Sequence, residues 1–360
     1  MQPKRARSAL ILLIMICLLS ALITACGSAS QPSASTAGVA GAPKSSSGDQ
    51  EVTLVIGAYS VVKDALQNIL PEFQAYWLKK TGQRVTFQES YEASGTQARA
   101  IVGGFEADVT LLAMEGDIDK LTKAKLITHE WKKSANQGMI TDSIVVLGTR
   151  PGNPLGIKDW EDLMKPGVKV LYPNPKTSGG AQWDINAIYG AGLKASEAKG
   201  EKDHAFAKQY LERVHQNIES LDKSGRASMA AFEYGVGDVI VTYENELLAR
   251  IGQGKKYDIV VPTNTIRIEN PAAVVDKNVD KHGTREVAEA FIDYLVQDEA
   301  QKAFADAGFR PVNPEVYAAV KDRYATPAGL FDIQYLGGWK EVREKLYSKR
   351  GVWYQVLAGI

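Results

Sequence analysis

Hydrophobic and polar positions along this chain switch period in a regular way. Val52 to Ala58 is an apolar run of strand length, and Ser60 then opens a helix in which Val62, Leu66, Ile69, Leu70, Phe73, Tyr76 and Trp77 recur at helical spacing. Pro71 inside that run predicts a kink, because proline removes a backbone donor and crowds the preceding turn. Lys79-Lys80-Thr81-Gly82 closes the helix with basic residues and a glycine, and Val85-Thr86-Phe87 is the next strand. A second helix is predicted from Ser94 to Gly103-Gly104, and a third strand from Asp108 to Leu112. Strands alternating with helices predict a parallel α/β sheet whose ligand sites lie beyond the carboxyl ends of the strands.

The rhythm restarts after Ile144-Val145-Val146-Leu147. Val168 to Tyr172 reads as a strand, a helix starts at Ser178, Ala205 to Val214 is amphipathic, and Val239 to Tyr243 is another strand. Ile259-Val260-Val261 and the alternating Ala272 to Val275 precede a helix near Arg285 to Gln297 that returns to the first half. Two α/β lobes are the economical reading: residues 51–143 and 259–316 in one, 144–258 in the other, and an aromatic-rich packing segment over 317–360.

Composition leaves this picture standing and adds a leader. The 360 residues are 45% hydrophobic and 23% charged, which excludes a collagen-like, wholly disordered or multi-span membrane chain. Forty-two basic and 42 acidic residues cancel, so no broad attraction for nucleic acid is expected. Lys4, Arg5 and Arg7 precede an apolar run from Ala9 to Ile23 that is short for a membrane span, and small residues follow: the form of a signal segment over 1–25. Ile23-Thr24-Ala25-Cys26 resembles the lipobox of bacterial lipoproteins, which implies cleavage before Cys26 and its acylation, with two lipid chains as a stable anchor. Cys17 is then discarded, and neither cysteine enters a disulfide framework or a zinc site. Loss of residues 1–25 removes three basic residues and leaves 39 against 42 acidic, a net charge near −3. Residues 27–50, rich in Ser, Ala, Gly and Pro, read as a tether reaching roughly 25 to 30 Å.

Candidate chemistry gathers at helix starts. Ala58-Tyr59-Ser60, Ala93-Ser94-Gly95, Thr177-Ser178-Gly179-Gly180 and Ser224-Gly225-Arg226 each put a serine or glycine where a strand gives way to a helix. Serine there is first of all an N-cap. The unpaired N–H groups of a first helical turn also suit an anion, and glycine lets backbone approach it closely.

Asn174-Pro175-Lys176-Thr177-Ser178-Gly179-Gly180-Ala181-Gln182-Trp183 resembles the NPKxSGGARW motif of bacterial sulfate- and thiosulfate-binding proteins, the extracytoplasmic receptors of ABC importers. Further blocks of that family stand in the same order: Gln88 to Gly95, Phe105 to Val109, Lys165 to Val168, Gly237-Asp238-Val239, Tyr243 to Glu246 and Gly308 to Pro311. The resemblance covers about Val52 to the C-terminus. It implies a two-lobed, type II periplasmic-binding-protein fold with a hinge and an anion site in the cleft, working as a monomer with a permease and its ATPase subunit. The protein would sit on the outer face of the cytoplasmic membrane through its lipid alone, without cofactor, metal or catalytic residue.

By the same resemblance, the anion would take donors from Ser60 (main chain), Ser94 (hydroxyl and helix start), Ser178, Gly179 and Gly180 (consecutive first-turn donors) and Gly225 (main chain). Tyr243 stands where other members have a tryptophan N–H, which leaves geometry and selectivity open there. Arg226 is either a charge behind the site or a solvated helix-start arginine. Sulfate carries no proton at neutral pH and needs donors only. Hydrogen phosphate in a site without an acceptor leaves its O–H unpaired, at a cost of about 1 to 3 kcal/mol. About seven bonds to a charged ligand, at ~1.5 to 3 kcal/mol each before the costs of closure, are compatible with micromolar or tighter binding.

Molybdate, with the same donor demand, is the nearest rival ligand. A sulfate-ester hydrolase is the rival class, but the chain has no G-x-S-x-G, H-E-x-x-H or G-x-x-x-x-G-K-[ST] motif. His129, His204, His215 and His282 are scattered and read as surface residues, and Glu244 and Glu246 as salt-bridged or capping groups.

Overall fold

The computed structural model describes residues 51–360; the signal segment, Cys26 and the tether expected over 1–50 lie outside the described residues. The chain runs β1 (Glu51–Tyr59), α1 (Lys63–Thr81), β2 (Arg84–Glu92), α2 (Ser94–Val102), β3 (Val109–Leu111), α3 (Glu115–Lys123) and β4 (Met139–Thr149). Then come β5 (Val170–Pro173), α4 (Gly179–Glu197), α5 (His204–His215), β6 (Ile218–Asp222), α6 (Gly225–Glu233), β7 (Val239–Tyr243), α7 (Glu244–Gly252) and β8 (Asp258–Val260). It closes with β9 (Asn264–Val274), α8 (Asp276–His282), α9 (Arg285–Tyr294), α10 (Asp298–Asp306), β10 (Arg310–Pro311), α11 (Pro314–Val320), β11 (Gly329–Phe331), α12 (Gly338–Lys345) and α13 (Val352–Ala358).

The strands follow the order β2-β1-β3-β9-β4-β7-β5-β6. Within each lobe the expected parallel pairing holds, β1 with β2 and β3, and β5 with β6 and β7. The sheet as a whole is mixed, however, because β9 runs antiparallel to β3 and β4, and β4 antiparallel to β7. β4 and β9 are the strands that pass through both lobes. Met139–Ile144 of β4 pairs with β9, and Val145–Thr149 with β7, so this strand changes lobe between residues 144 and 145. The return falls later than the expected residue 259. β8 pairs with Leu147–Thr149 on the second lobe's side, and the chain recrosses within β9. A short apolar run shows that a strand exists but not which neighbour it pairs with.

The first-lobe core follows the helical spacing read from the sequence. Ala65, Leu66, Ile69, Leu70, Phe73 and Trp77 are the buried face of α1, which runs on through Pro71 to Thr81. Gly82 caps it at φ 76°, a left-handed conformation that glycine takes without strain, and donates its N–H to Leu78 O. Phe73 meets Phe291 edge-on at 5.0 Å and Tyr294 at 5.4 Å, which fixes α9 against α1. Each such aromatic, fully buried, contributes about 1.5 to 3 kcal/mol of transfer free energy.

The C-terminal segment packs along α4 and α5. Trp339 meets Trp183 edge-on at 4.8 Å, Trp353 meets His215 at 5.1 Å, and Phe331 occupies the space a Cβ on Gly190 would need, 2.2 Å away. Gly190 thus permits a close approach of β11 to α4. Among the described residues no helix is long and apolar enough to cross a membrane.

Candidate functional site

Seven strand or helix ends converge on one cavity between the lobes. The end of β1 and the starts of α2 and α3 supply Tyr59, Ser60, Ser94 and Ala113; the ends of β5 and β7 and the starts of α4 and α6 supply Ser178, Gly180, Ser224, Gly225 and Tyr243. Gly179 sits at the same edge, where a Cβ would come within 3.2 Å of Ser94 Cβ. The structure therefore brings all seven expected residues together, with roles that differ from residue to residue.

Ser178 is the N-cap of α4, its Oγ accepting the Ala181 N–H at 3.2 Å. Its own N–H is spent on Asn174 O at 2.9 Å. The run Ser178-Gly179-Gly180 is therefore not three backbone donors: Ser178 offers its hydroxyl, and Gly179 and Gly180 the first-turn N–H groups. Ser224 caps α6 in the same way, accepting from Ala227 N–H at 3.1 Å, and leaves Gly225 N–H as the first-turn donor.

Ser94 departs from expectation. The α2 N-cap is Ala93, and Ser94 occupies the first helical position with its Oγ donating to Asp117 Oδ2 at 2.5 Å and accepting Ala113 N–H at 2.9 Å. The hydroxyl is committed to α3, so what remains toward the cleft is the backbone of the first turn. Ser60 begins a short 3₁₀ turn ahead of α1, without a side-chain cap.

Tyr243 ends β7 with its Oη buried and unpartnered, 3.6 Å from where a Gly180 Cβ would stand. Burial, and then the neighbouring Tyr59, Asp184, Asp117 and Glu246, push its pKa well up, so it is a neutral phenol and a donor. Tyr59, not singled out in the sequence, has the same character: a buried, unpartnered Oη whose pKa is raised by burial and by Glu246. Its position at the end of a strand, just before a helix start, was the available signal.

The expectation of donors without carboxylates does not hold. Asp184 and Glu246 both line the cavity. Asp184 lies one helical turn beyond Gly180, on the same face of α4. Glu246 stands between Arg226 at 3.7 Å and Arg250 at 3.4 Å. Glu244, by contrast, turns away and holds Arg310 through two hydrogen bonds of 2.7 and 3.0 Å.

Arg226 does not line the cavity. Its Nη1 lies 3.0 Å from Asp64 Oδ2 on α1, and its Nη2 donates to Ser60 O at 3.4 Å, so it bridges the lobes. Burial works against its charge, but Glu246 and Asp64 more than restore it, raising its pKa. Two further bonds cross the cleft: Arg99 Nη1 to Lys176 O at 3.1 Å and Trp183 Nε1 to Ala113 O at 2.7 Å. Among the described residues no Lys or Arg lines the cavity, and no cluster of three or more His, Cys, Asp or Glu is arranged to hold a metal.

A closed cleft between two α/β lobes joined by antiparallel crossing strands, with helix starts from both sides around one cavity, defines a periplasmic-type binding protein. The model for the bacterial extracellular solute-binding proteins matches residues 54–310, and the chain belongs to that family. It is 42% identical over 343 residues to a sulfate-binding protein of Synechococcus elongatus, covering 94% of this chain and 93% of the relative. It is 36% identical to a thiosulfate-binding protein of Pseudomonas aeruginosa, covering 84% and 91%. Among solved structures, the sulfate-binding protein SubI from Mycobacterium tuberculosis superposes with a TM-score of 0.75 at 34% identity, over 83% of this chain and all of that one. A periplasmic thiamin-binding protein, at 15% identity and a TM-score of 0.63, shares the fold.

Proposed function

We propose that this protein is the extracytoplasmic receptor of an ABC importer, capturing sulfate, and thiosulfate as the neighbouring substrate, and releasing it unchanged to a permease with its ATPase subunit. The observation that carries this is the convergence of uncommitted donors on a cavity that no Lys or Arg lines among the described residues: first-turn N–H groups at Gly179, Gly180 and Gly225, the Ser178 hydroxyl and the Tyr243 phenol. Ser60 and Ser94 contribute main-chain N–H groups in this reading. The names of the relatives support the same ligand class.

Binding a dianion with neutral donors is physically reasonable. Fixed N–H dipoles replace the hydration shell without reorganising, and the partial positive charges of three helix starts are aimed at the ligand. No lining cation means that no tight ion pair has to be broken for release. Arg226 acts from behind, holding the lobes together.

The test is calorimetry on the purified full chain after exhaustive dialysis against sulfate-free buffer, with sulfate, thiosulfate, molybdate and phosphate as titrants. One sulfate site per chain of micromolar or tighter affinity, with phosphate much weaker, is the expected result. No binding of sulfate or thiosulfate overturns the proposal, and tighter binding of molybdate reassigns the ligand.

We also propose that Cys26 is acylated after removal of residues 1–25 and that the tether over 27–50 holds the receptor at the outer face of the membrane as a monomer. Radiolabelled palmitate should enter the wild-type chain and not Cys26→Ser. Equal labelling of the two overturns the anchor.

A further inference from the structure

Among the described residues, Asp184 is the one carboxyl group of the cavity with no partner. It is 1% exposed, its side chain makes no hydrogen bond or ion pair, and its Oδ1 is enclosed without a donor. It lines the cavity one turn of α4 beyond Gly180. The titratable groups around it are phenols: Tyr243 at the end of β7, Tyr172 in β5 and Tyr347 between α12 and α13. Beyond them the cavity is bordered by Tyr59 of β1 and by Glu246 of α7 between Arg226 and Arg250, while Asp117 of α3 lies behind Ser94, engaged by Ser94 and Lys120. Among the described residues no Lys or Arg lines the cavity with Asp184. Burial alone pushes its pKa well up.

An ionised Asp184 beside a bound dianion would add a third unbalanced negative charge to the dehydrated cleft, since the Glu246 carboxylate is balanced by Arg226 and Arg250 whereas Asp184 has no such partner. A protonated carboxyl offers instead a neutral O–H donor of the same kind as the Ser178 hydroxyl and the Tyr243 phenol. We propose that Asp184 enters the closed site as a carboxylic acid whose O–H donates to the anion, so that the protein takes up one solvent proton with each dianion it binds.

This rests on sulfate occupying the cleft, as proposed above. In the open form, where water reaches the carboxyl, Asp184 releases its proton more readily; closure over the anion raises its proton affinity. Between those two limits the affinity for sulfate falls up to tenfold per pH unit as pH rises, since binding consumes a proton. Asp184 is thereby a specificity residue: as a donor it favours fully deprotonated anions, whereas as an ionised acceptor it would favour hydrogen phosphate.

The experiment is sulfate calorimetry on the full chain in Mops, Hepes and Tris buffers from pH 6 to 9, with Asp184→Asn beside the wild type. Proton uptake, read as a dependence of the observed heat on buffer ionisation enthalpy, and a fall in affinity with pH are expected for the wild type. Asp184→Asn, which carries a permanent donor, should show neither. Sulfate binding by the wild type with no buffer dependence and a flat pH profile overturns the proposal and leaves the receptor function intact; absence of any sulfate heat removes both. Hydrogen phosphate bound within tenfold of sulfate at pH 7 marks Asp184 as an ionised acceptor and likewise overturns it. The wild-type buffer series stands by itself should the variant fail to fold.

Discussion

Arg226 of α6 and Asp64 of α1 meet across the cleft, with 3.0 Å between Nη1 and Oδ2. The two residues are 162 positions apart in sequence and belong to different lobes. Their ion pair exists only when the lobes are closed, so it contributes to the closed state and to nothing in the isolated lobes.

Arg226→Gln should therefore weaken sulfate binding mainly through faster dissociation. Both partners are about one-third exposed, so solvent screening limits the pair to about 0.5 to 1 kcal/mol, a two- to fivefold effect that shrinks in high salt. Stopped-flow release measurements on Arg226→Gln, Asp64→Asn and the double variant check this. Additive effects in that cycle would show that the pair is not coupled.

Ser178→Asp should abolish anion binding without unfolding the protein. Aspartate is as good an N-cap as serine, so α4 keeps its start, but a carboxylate now stands where the hydroxyl donor was. At close range in a dry cleft, repulsion of a dianion amounts to several kcal/mol, a loss of about 100-fold or more. Calorimetry with a circular dichroism control decides, and retained affinity would move the site elsewhere.

Tyr243→Phe removes one unpartnered donor and keeps the ring against Gly180. A lost hydrogen bond to a charged ligand predicts about a 10-fold or greater loss of affinity at unchanged stability. Unchanged affinity would remove the phenol from the ligand shell.

Asp142, on the crossing strand β4, makes a prediction about stability and not binding. Burial, against the pull of Arg267, raises its pKa to about 7. The unfolded chain, with an ordinary aspartate near 3.9, binds fewer protons between those values, so this group's penalty is absent in acid and grows as pH rises to about 7. Asp142→Asn should raise the melting temperature at pH 8 and leave it nearly unchanged at pH 4. An equal shift at both pH values would contradict this origin.

Much of the fold was legible because it is local. The helical spacing of Leu66, Ile69, Leu70 and Phe73 marked the buried face of α1, Gly82 marked its end, and Ser178 and Ser224 marked the starts of α4 and α6. The same junctions located the candidate donors, since a helix start carries its unpaired N–H groups wherever the helix is placed. The direction of β9 and the partner of β8 were not legible, because pairing depends on neighbours far away in sequence.

The sequence by itself determined the starts of α4 and α6, the first-turn donors at Gly179, Gly180 and Gly225, and the family-like motif around Ser178. Only the tertiary structure decided what those donors face. It spent the Ser94 hydroxyl on Asp117, turned Arg226 from the cavity to Asp64, and enclosed Tyr59 and Asp184 beside the expected donors. The physical reason is that capping and periodicity act over one or two turns of chain, whereas burial, ion pairing and the shifts in proton affinity that follow arise between segments brought together by folding.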